Sequence, residues 1–133
     1  MRTKYFLSYN EIRLITEAAT KEARENGWSV TISVVDDGGH PLSLIRMDQV
    51  APISSYIAFE KAKTAALGRR DTKGYEDMVN GGRFAFISAP QVTPLEGGVA
   101  IIFDGQVVGA IGVSGVKAEQ DAQVAQAGAR AIA

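Results

Sequence analysis

Two runs of apolar, largely β-branched residues, 99–103 and 106–113, are separated only by Asp104-Gly105. Aspartate followed by glycine tolerates the positive φ angles of a two-residue turn, so the runs must fold back on each other as a tight antiparallel hairpin. A hairpin alone is marginal in water and needs further strands and a covering layer. The rest of the chain supplies both. Residues 30–34 alternate apolar with hydroxylated side chains, the period of a strand, and end at Asp36-Asp37-Gly38-Gly39, whose residues favour turns. The return strand is read at 41–47, with Leu42 and Leu44 on one face.

Helices are marked by their ends. Ser8-Tyr9-Asn10-Glu11 has the form of a capping box, Ile12, Ile15, Ala19 and Ala23 recur at helical spacing, and Gly27 supplies a left-handed stop. The first helix is therefore predicted over 9–26. Pro52 suits the first turn of a second helix, 52–67, stopped by Gly68. Residues 69–80 are polar and carry a weak helical pattern around 75–79; 84–87 read as a short strand, and 89–98 as an irregular connector. A last helix is placed at 117–132, with alanines at 118, 122, 125 and 129 forming a stripe that permits close backbone approach.

The order is helix, two strands, helix, short helix, three strands, helix. It predicts an α+β domain over residues 1–133, one antiparallel sheet whose apolar face is covered by helices. At 133 residues the chain is long enough for one core and too short for two.

Composition narrows the function. Fourteen basic against fifteen acidic residues leave a net charge of -1, so no field draws in a polyanion, and nucleic acid is not expected as a partner. With no cysteine and one histidine, thiolate chemistry and multi-histidine metal sites are excluded, and no metal site is expected. Met1 to Leu7 run straight into polar Ser8 and Asn10, which does not read as a signal peptide, and no apolar run approaches bilayer length. A cytoplasmic protein without membrane insertion is expected.

Four stretches, in order along nearly the whole chain, resemble one family. They are Val34-Val35-Asp36-Asp37-Gly38-Gly39-His40 continuing to Ile45-Arg46-Met47-Asp48; Ala58-Phe59-Glu60-Lys61-Ala62-Lys63-Thr64-Ala65; Gly97-Gly98-Val99-Ala100-Ile101 with Asp104-Gly105; and Val108-Gly109-Ala110-Ile111-Gly112-Val113-Ser114-Gly115 with Glu119-Gln120-Asp121. The family is GlcG/HbpS, which includes haem-binding sensors and the C-terminal domain of an adenosyltransferase of propanediol utilisation. The resemblance implies a profilin-like fold, homo-oligomers (dimers or larger, commonly octamers built from dimers) and haem as a possible cofactor. The chain departs from the family pattern at Ala100, where proline is usual, and at Lys117, where serine or threonine is usual. Its first helix lacks the histidine that ligates haem in some members.

Candidate site residues follow from chemistry. Lys61 lies one helical turn from Ile57 and Ala65 in a row of small apolar residues; its ammonium either meets a ligand carboxylate in a pocket or snorkels to water. Arg46 and Asp48, two apart, form either an anion fork or an ion pair that fixes the following loop. Ser114 and Gly115 precede a helix whose free N–H groups favour an anion, and Gly97 and Gly98 flank a strand end; all four equally suit turns and close packing. For haem iron the candidate ligands are His40, Met47, Met78 and the four tyrosines. The leading expectation is a small-molecule-binding or sensor-accessory protein with an apolar pocket at a subunit interface, held by Arg46, Lys61 and the Ser114-Gly115 segment. One alternative is a small enzyme acting on an organic acid or aromatic carboxylate, with His40 or Asp36 moving the proton and Arg46 clamping the carboxylate. The other is an oligomeric interaction module.

Overall fold

Most elements fall near where the turn and cap signals place them; the second helix differs at both ends, starting at Ser54 just after Pro52 and taking its left-handed stop at Arg69 (φ 58°) instead of at Gly68. In a computed structural model describing residues 1–132, the chain runs α1 (Tyr9–Glu25), β1 (Thr31–Asp36), β2 (Pro41–Arg46), α2 (Ser54–Gly68) and α3 (Lys73–Asn80). A 3₁₀ turn (Phe84–Ser88), β3 (Gly98–Phe103), β4 (Gln106–Ser114), α4 (Ala118–Ala129) and a 3₁₀ turn (Arg130–Ile132) complete it. Glu11 starts α1 by accepting the Ser8 N–H at 3.3 Å and its hydroxyl at 2.5 Å. Asp104 and Gly105 both have positive φ, 49° and 74°, as a type I′ turn requires.

The four strands form one antiparallel sheet in the order β2-β1-β4-β3. Both C-terminal hairpin strands lie on one side of β1, and β2 is left at the edge. The α+β architecture is as the pattern predicts, with two refinements. The strand expected at 84–87 is instead the 3₁₀ turn, pinned by Phe86 stacking on Tyr75 at 5.3 Å. The helices also cover two faces, not one. Val34 packs with Ile15, Ala19 and Val124 under α1 and α4, whereas its neighbour Val35 packs with Ala62, Ala65 and Ala66 of α2. Adjacent valines point to opposite faces of a strand, so β1 is buried on both sides and its alternation marks size and polarity more than exposure.

α2 sits unusually close to the sheet. A Cβ on Gly112 of β4 would lie 2.1 Å from the Ala58 carbonyl oxygen and 2.5 Å from the Ala62 nitrogen; one on Gly98 would lie 2.3 Å from the Lys61 carbonyl oxygen. Glycine on the sheet and alanine on the helix therefore jointly set the spacing.

The two sheet edges are treated differently. On β3, the Gly98 N–H donates to Thr72 Oγ1 at 2.9 Å, the Thr72 N–H returns to the Gly98 carbonyl at 2.9 Å, and the Ala100 N–H meets Asp71 Oδ1 at 3.0 Å. The α2–α3 loop thus caps the Gly98–Ala100 part of that edge. Most residues of β2 are exposed.

Gly112→Ala is expected to lower stability by about 1–3 kcal/mol, the usual cost of overpacking. A urea melt that leaves the midpoint unchanged would show that the helix can lift without penalty.

Candidate functional site

Lys61 does not open onto a pocket. Only 3% exposed, it crosses the end of the sheet, where Nζ donates to the Val113 carbonyl at 2.9 Å and to Asp121 Oδ2 at 3.1 Å. Asp121 is equally buried, and its other oxygen accepts the Val116 N–H at 3.1 Å. Burial pushes the Asp121 carboxyl above the ordinary aspartate range, with the Lys61 charge and the Val116 N–H pulling against it. The pair ties α2 to α4. It also answers the expectation of an anion beside Ser114 and Gly115: the carboxylate at this segment is the chain's own Asp121. Gly97 and Gly98 are packed against Lys61, and a Cβ on Gly115 would meet the Ser29 carbonyl at 2.7 Å. Ser114 is buried in the ladder opposite Thr31. Five of the six residues expected to hold a ligand therefore form a solid sheet end. Lys61 was legible as misplaced; its partner was not, because Asp121 stands sixty residues away on a helix face that looks polar.

Arg46 is exposed on β2, and no ion pair joins it to Asp48 among the described residues. Neither reading of that pair is realised within one chain. His40 stands on the exposed β1–β2 turn. Its Nδ1 is 3.1 Å from Asp36 Oδ1, which also accepts the Gly38 and His40 N–H groups at 2.9 Å each. Burial pushes the Asp36 carboxyl up, but these hydrogen bonds outweigh it and the net shift is downward. That makes Asp36 a turn-fixing acceptor and a poorer base. The basic side chains late in α2 and just after it are engaged locally: Lys63 with Glu60, Lys73 with Asp77, Arg69 with the Asp37 and Ala66 carbonyls, and Arg70 over the Tyr75 ring at 4.5 Å. Among the described residues no cluster of three metal-ligating side chains exists, and no helix is long and apolar enough to cross a membrane.

Concave surface lies elsewhere: a hollow of about 210 Å³ where the N-terminal segment meets Phe103, Val108 and Ile132, and a more extended one along the seam between α1 and β2. A groove of about 330 Å³ is lined by Tyr9, Ile12, Arg13, Thr16, Glu17, Leu42, Ser43 and Ile45. Beyond Ile45 it continues past Thr20 and Arg24 to Ser29, Met47 and Asp48. Two features separate this trough from ordinary surface relief. Of three buried hydroxyls without a hydrogen-bond partner among the described residues, Ser33 lies within β1 and the other two, Thr16 and Ser43, line this trough, an arrangement that costs about 1–3 kcal/mol each unless something completes it. Arg24 faces no carboxylate among the described ion pairs, whereas Arg13 is held by Glu17 and Asn10. Tyr9 and Met47, two of the candidate iron ligands, line the trough; His40 does not. The helical period of α1 predicted its buried stripe at Ile12, Ile15 and Ala19, but Thr16 gave no sign of being left unpaired.

Comparison with known proteins places this geometry. Residues 7–130 match the family model described as haem degrading protein HbpS-like. Protein GlcG of Escherichia coli K12 is 60% identical over 114 residues, 86% of this chain and 85% of its own. Among solved structures, Klebsiella pneumoniae protein ORFY superposes with a TM-score of 0.91 at 30% identity, covering 99% of this chain and 94% of that one. A haem complex of PduOC superposes with a TM-score of 0.86 at 32% identity, covering 96% of each chain.

Removing one member of the buried pair should be costly. Lys61→Met is expected to lose about 3–5 kcal/mol at neutral pH, because Asp121 is left charged and dry. A carboxyl whose folded-state pKa is raised binds its proton more tightly folded than unfolded, so that penalty is relieved as pH falls toward 3.8, the ordinary aspartate value, and returns as pH rises. Urea melts at neutral and acid pH should show the deficit narrowing on acidification. A deficit independent of pH would mean that Asp121 is not the group left unpaired.

Proposed function

The chain belongs to the HbpS-like family, and from that premise we propose that it binds a small, largely apolar anion in the trough between α1 and β2, with haem the first ligand to test. The observation that carries this reading is the pair of orphaned hydroxyls, Thr16 and Ser43, in an apolar groove that runs on to Arg24, which no ion pair engages among the described residues. Apolar walls with a few convergent polar groups are the usual make-up of a ligand site, and the groove lies at the lower end of the usual size range. That a solved relative is a haem complex supports the choice of ligand.

The residues present fit such a group in part. Ile12, Leu42 and Ile45 offer apolar contact to a planar ring system, and Arg24 offers a guanidinium to a propionate. Thr16 and Ser43 offer hydroxyls to a polar edge, and Tyr9 or Met47 offers an iron ligand in place of histidine. A bound haem would supply the iron chemistry; the chain's part is to orient it and shed water from one face. An open trough covers only that face. The reading therefore includes a homo-oligomer, in which a second copy covers the other. Arg46, exposed on the opposite side of β2, belongs to this proposal only as a contact made between copies.

Titration of the purified protein with haemin should shift the Soret band and raise the melting temperature by mass action. Arg24→Glu should weaken binding by roughly tenfold or more, the scale of one lost charge-assisted hydrogen bond. Thr16→Val should weaken it less, and His40→Ala not at all. No Soret change in the wild-type protein, or affinity unmoved by both trough substitutions, would end this assignment.

A further inference from the structure

The β2 edge of this sheet is left uncapped among the described residues. Met47 N–H donates inward to the Val30 carbonyl at 3.0 Å. By the alternation of an antiparallel ladder, the backbone groups of Leu42, Leu44 and Arg46 then face away from the sheet. The β3 edge carries Asp71 and Thr72 as a cap; β2 has none. Natural edges are also blunted by charge, proline, a bulge or a short strand. β2 carries such devices only toward its ends, Pro41 with a bulge opposite Val34 and Val35 at the start and Arg46 at the finish, while between them Leu42, Leu44 and Ile45 are 37%, 44% and 48% exposed.

We propose that β2 pairs antiparallel with β2 of a second copy of this chain, about a two-fold axis through Leu44, joining two sheets into one of eight strands. The register follows from which groups are free. A hydrogen-bonded pair needs outward-facing residues on both strands, and an axis at Leu44 sets Leu44 opposite the partner's Leu44 and Leu42 opposite the partner's Arg46. The two Arg46 side chains end up at opposite ends of the seam, so no like charges meet. A stable interface buries about 800 Å² per partner, which a few ladder bonds do not supply. The side layers offer further apolar surface to it: Tyr9 (84% exposed) stands beside β2 on the α1 face, and Tyr56 (76%), with Phe59, lines the groove beside Leu44 on the α2 face. Pairing continues both apolar layers across the axis. It also brings two α1–β2 troughs onto one shared floor, which deepens the preceding reading by naming the surface through which a second copy covers the ligand.

The chain has no cysteine, so a single introduced one reports register directly. Residues opposite each other in a hydrogen-bonded antiparallel pair have Cα atoms about 5.5 Å apart, within disulfide reach. Leu44→Cys should give a covalent dimer under mild oxidation, while Leu42→Cys, four residues from its own counterpart in this register, should not. Leu44→Lys, which sets two ammonium groups on the axis, should halve the native mass while circular dichroism stays unchanged. A monomeric wild-type protein, equal cross-linking at both positions, or a folded Leu44→Lys variant of undiminished mass would overturn the proposal. All three are read without ligand: a monomeric wild-type protein would also remove the covering copy from the haem reading, whereas a wrong register alone leaves the haem titration standing, and failure there leaves this interface standing.

Discussion

A buried ammonium has to be answered by something buried, and the answer to Lys61 organises one end of this molecule. Its two partners belong to β4 and α4, so the lysine on α2 reaches past the sheet's end to the layer on the other face. Asp121 in turn takes the Val116 N–H, which fixes how the chain enters α4. Burying an ion pair rarely adds net stability over a well-packed apolar substitute. Its effect here is specificity of arrangement, because α2 can dock at one height and one register if Lys61 is to find Asp121. The glycines at 98 and 112 act in the same direction by letting α2 backbone touch strand backbone.

With that end sealed and part of the β3 edge capped, the most extended concave surface lies on the far side of the sheet. There β2 is open, α1 runs beside it, and the seam between them holds two of the three buried hydroxyls left without a partner among the described residues. An uncapped edge and an apolar trough would each be a liability on an isolated domain. Side by side they make sense as parts of one assembly, in which a second copy finishes the sheet and a ligand fills the space above it.

Much of the fold was legible because local chemistry and global arrangement agree. Asp104-Gly105, the capping box at Ser8 and Glu11, and Pro52 each specify an element with little help from tertiary contacts. The 3₁₀ turn at Phe84–Ser88 was misread as a strand because Phe84, Phe86 and Ile87 have strand-like propensity, and what holds them is an aromatic contact to Tyr75 from a different segment. The second covered face was hidden for a related reason: the alternation in β1 distinguishes hydroxyl from methyl, and Thr31 and Ser33 are as buried as the valines. The site was less legible than the fold. A lysine among alanines announces burial but not its purpose, and the residues of the trough become notable only once α1 and β2 are seen to leave Thr16 and Ser43 unpartnered.

The account's central claim is that ligand binds the α1–β2 seam and not the sheet end at Lys61. Hydrogen–deuterium exchange of the protein with and without saturating haemin addresses it most directly. The account predicts ligand-dependent protection confined to peptides from α1 and β2, with those spanning Lys61 and Ser114 to Asp121 unchanged. Protection concentrated at the Lys61 end, with α1 and β2 unaltered, would contradict it.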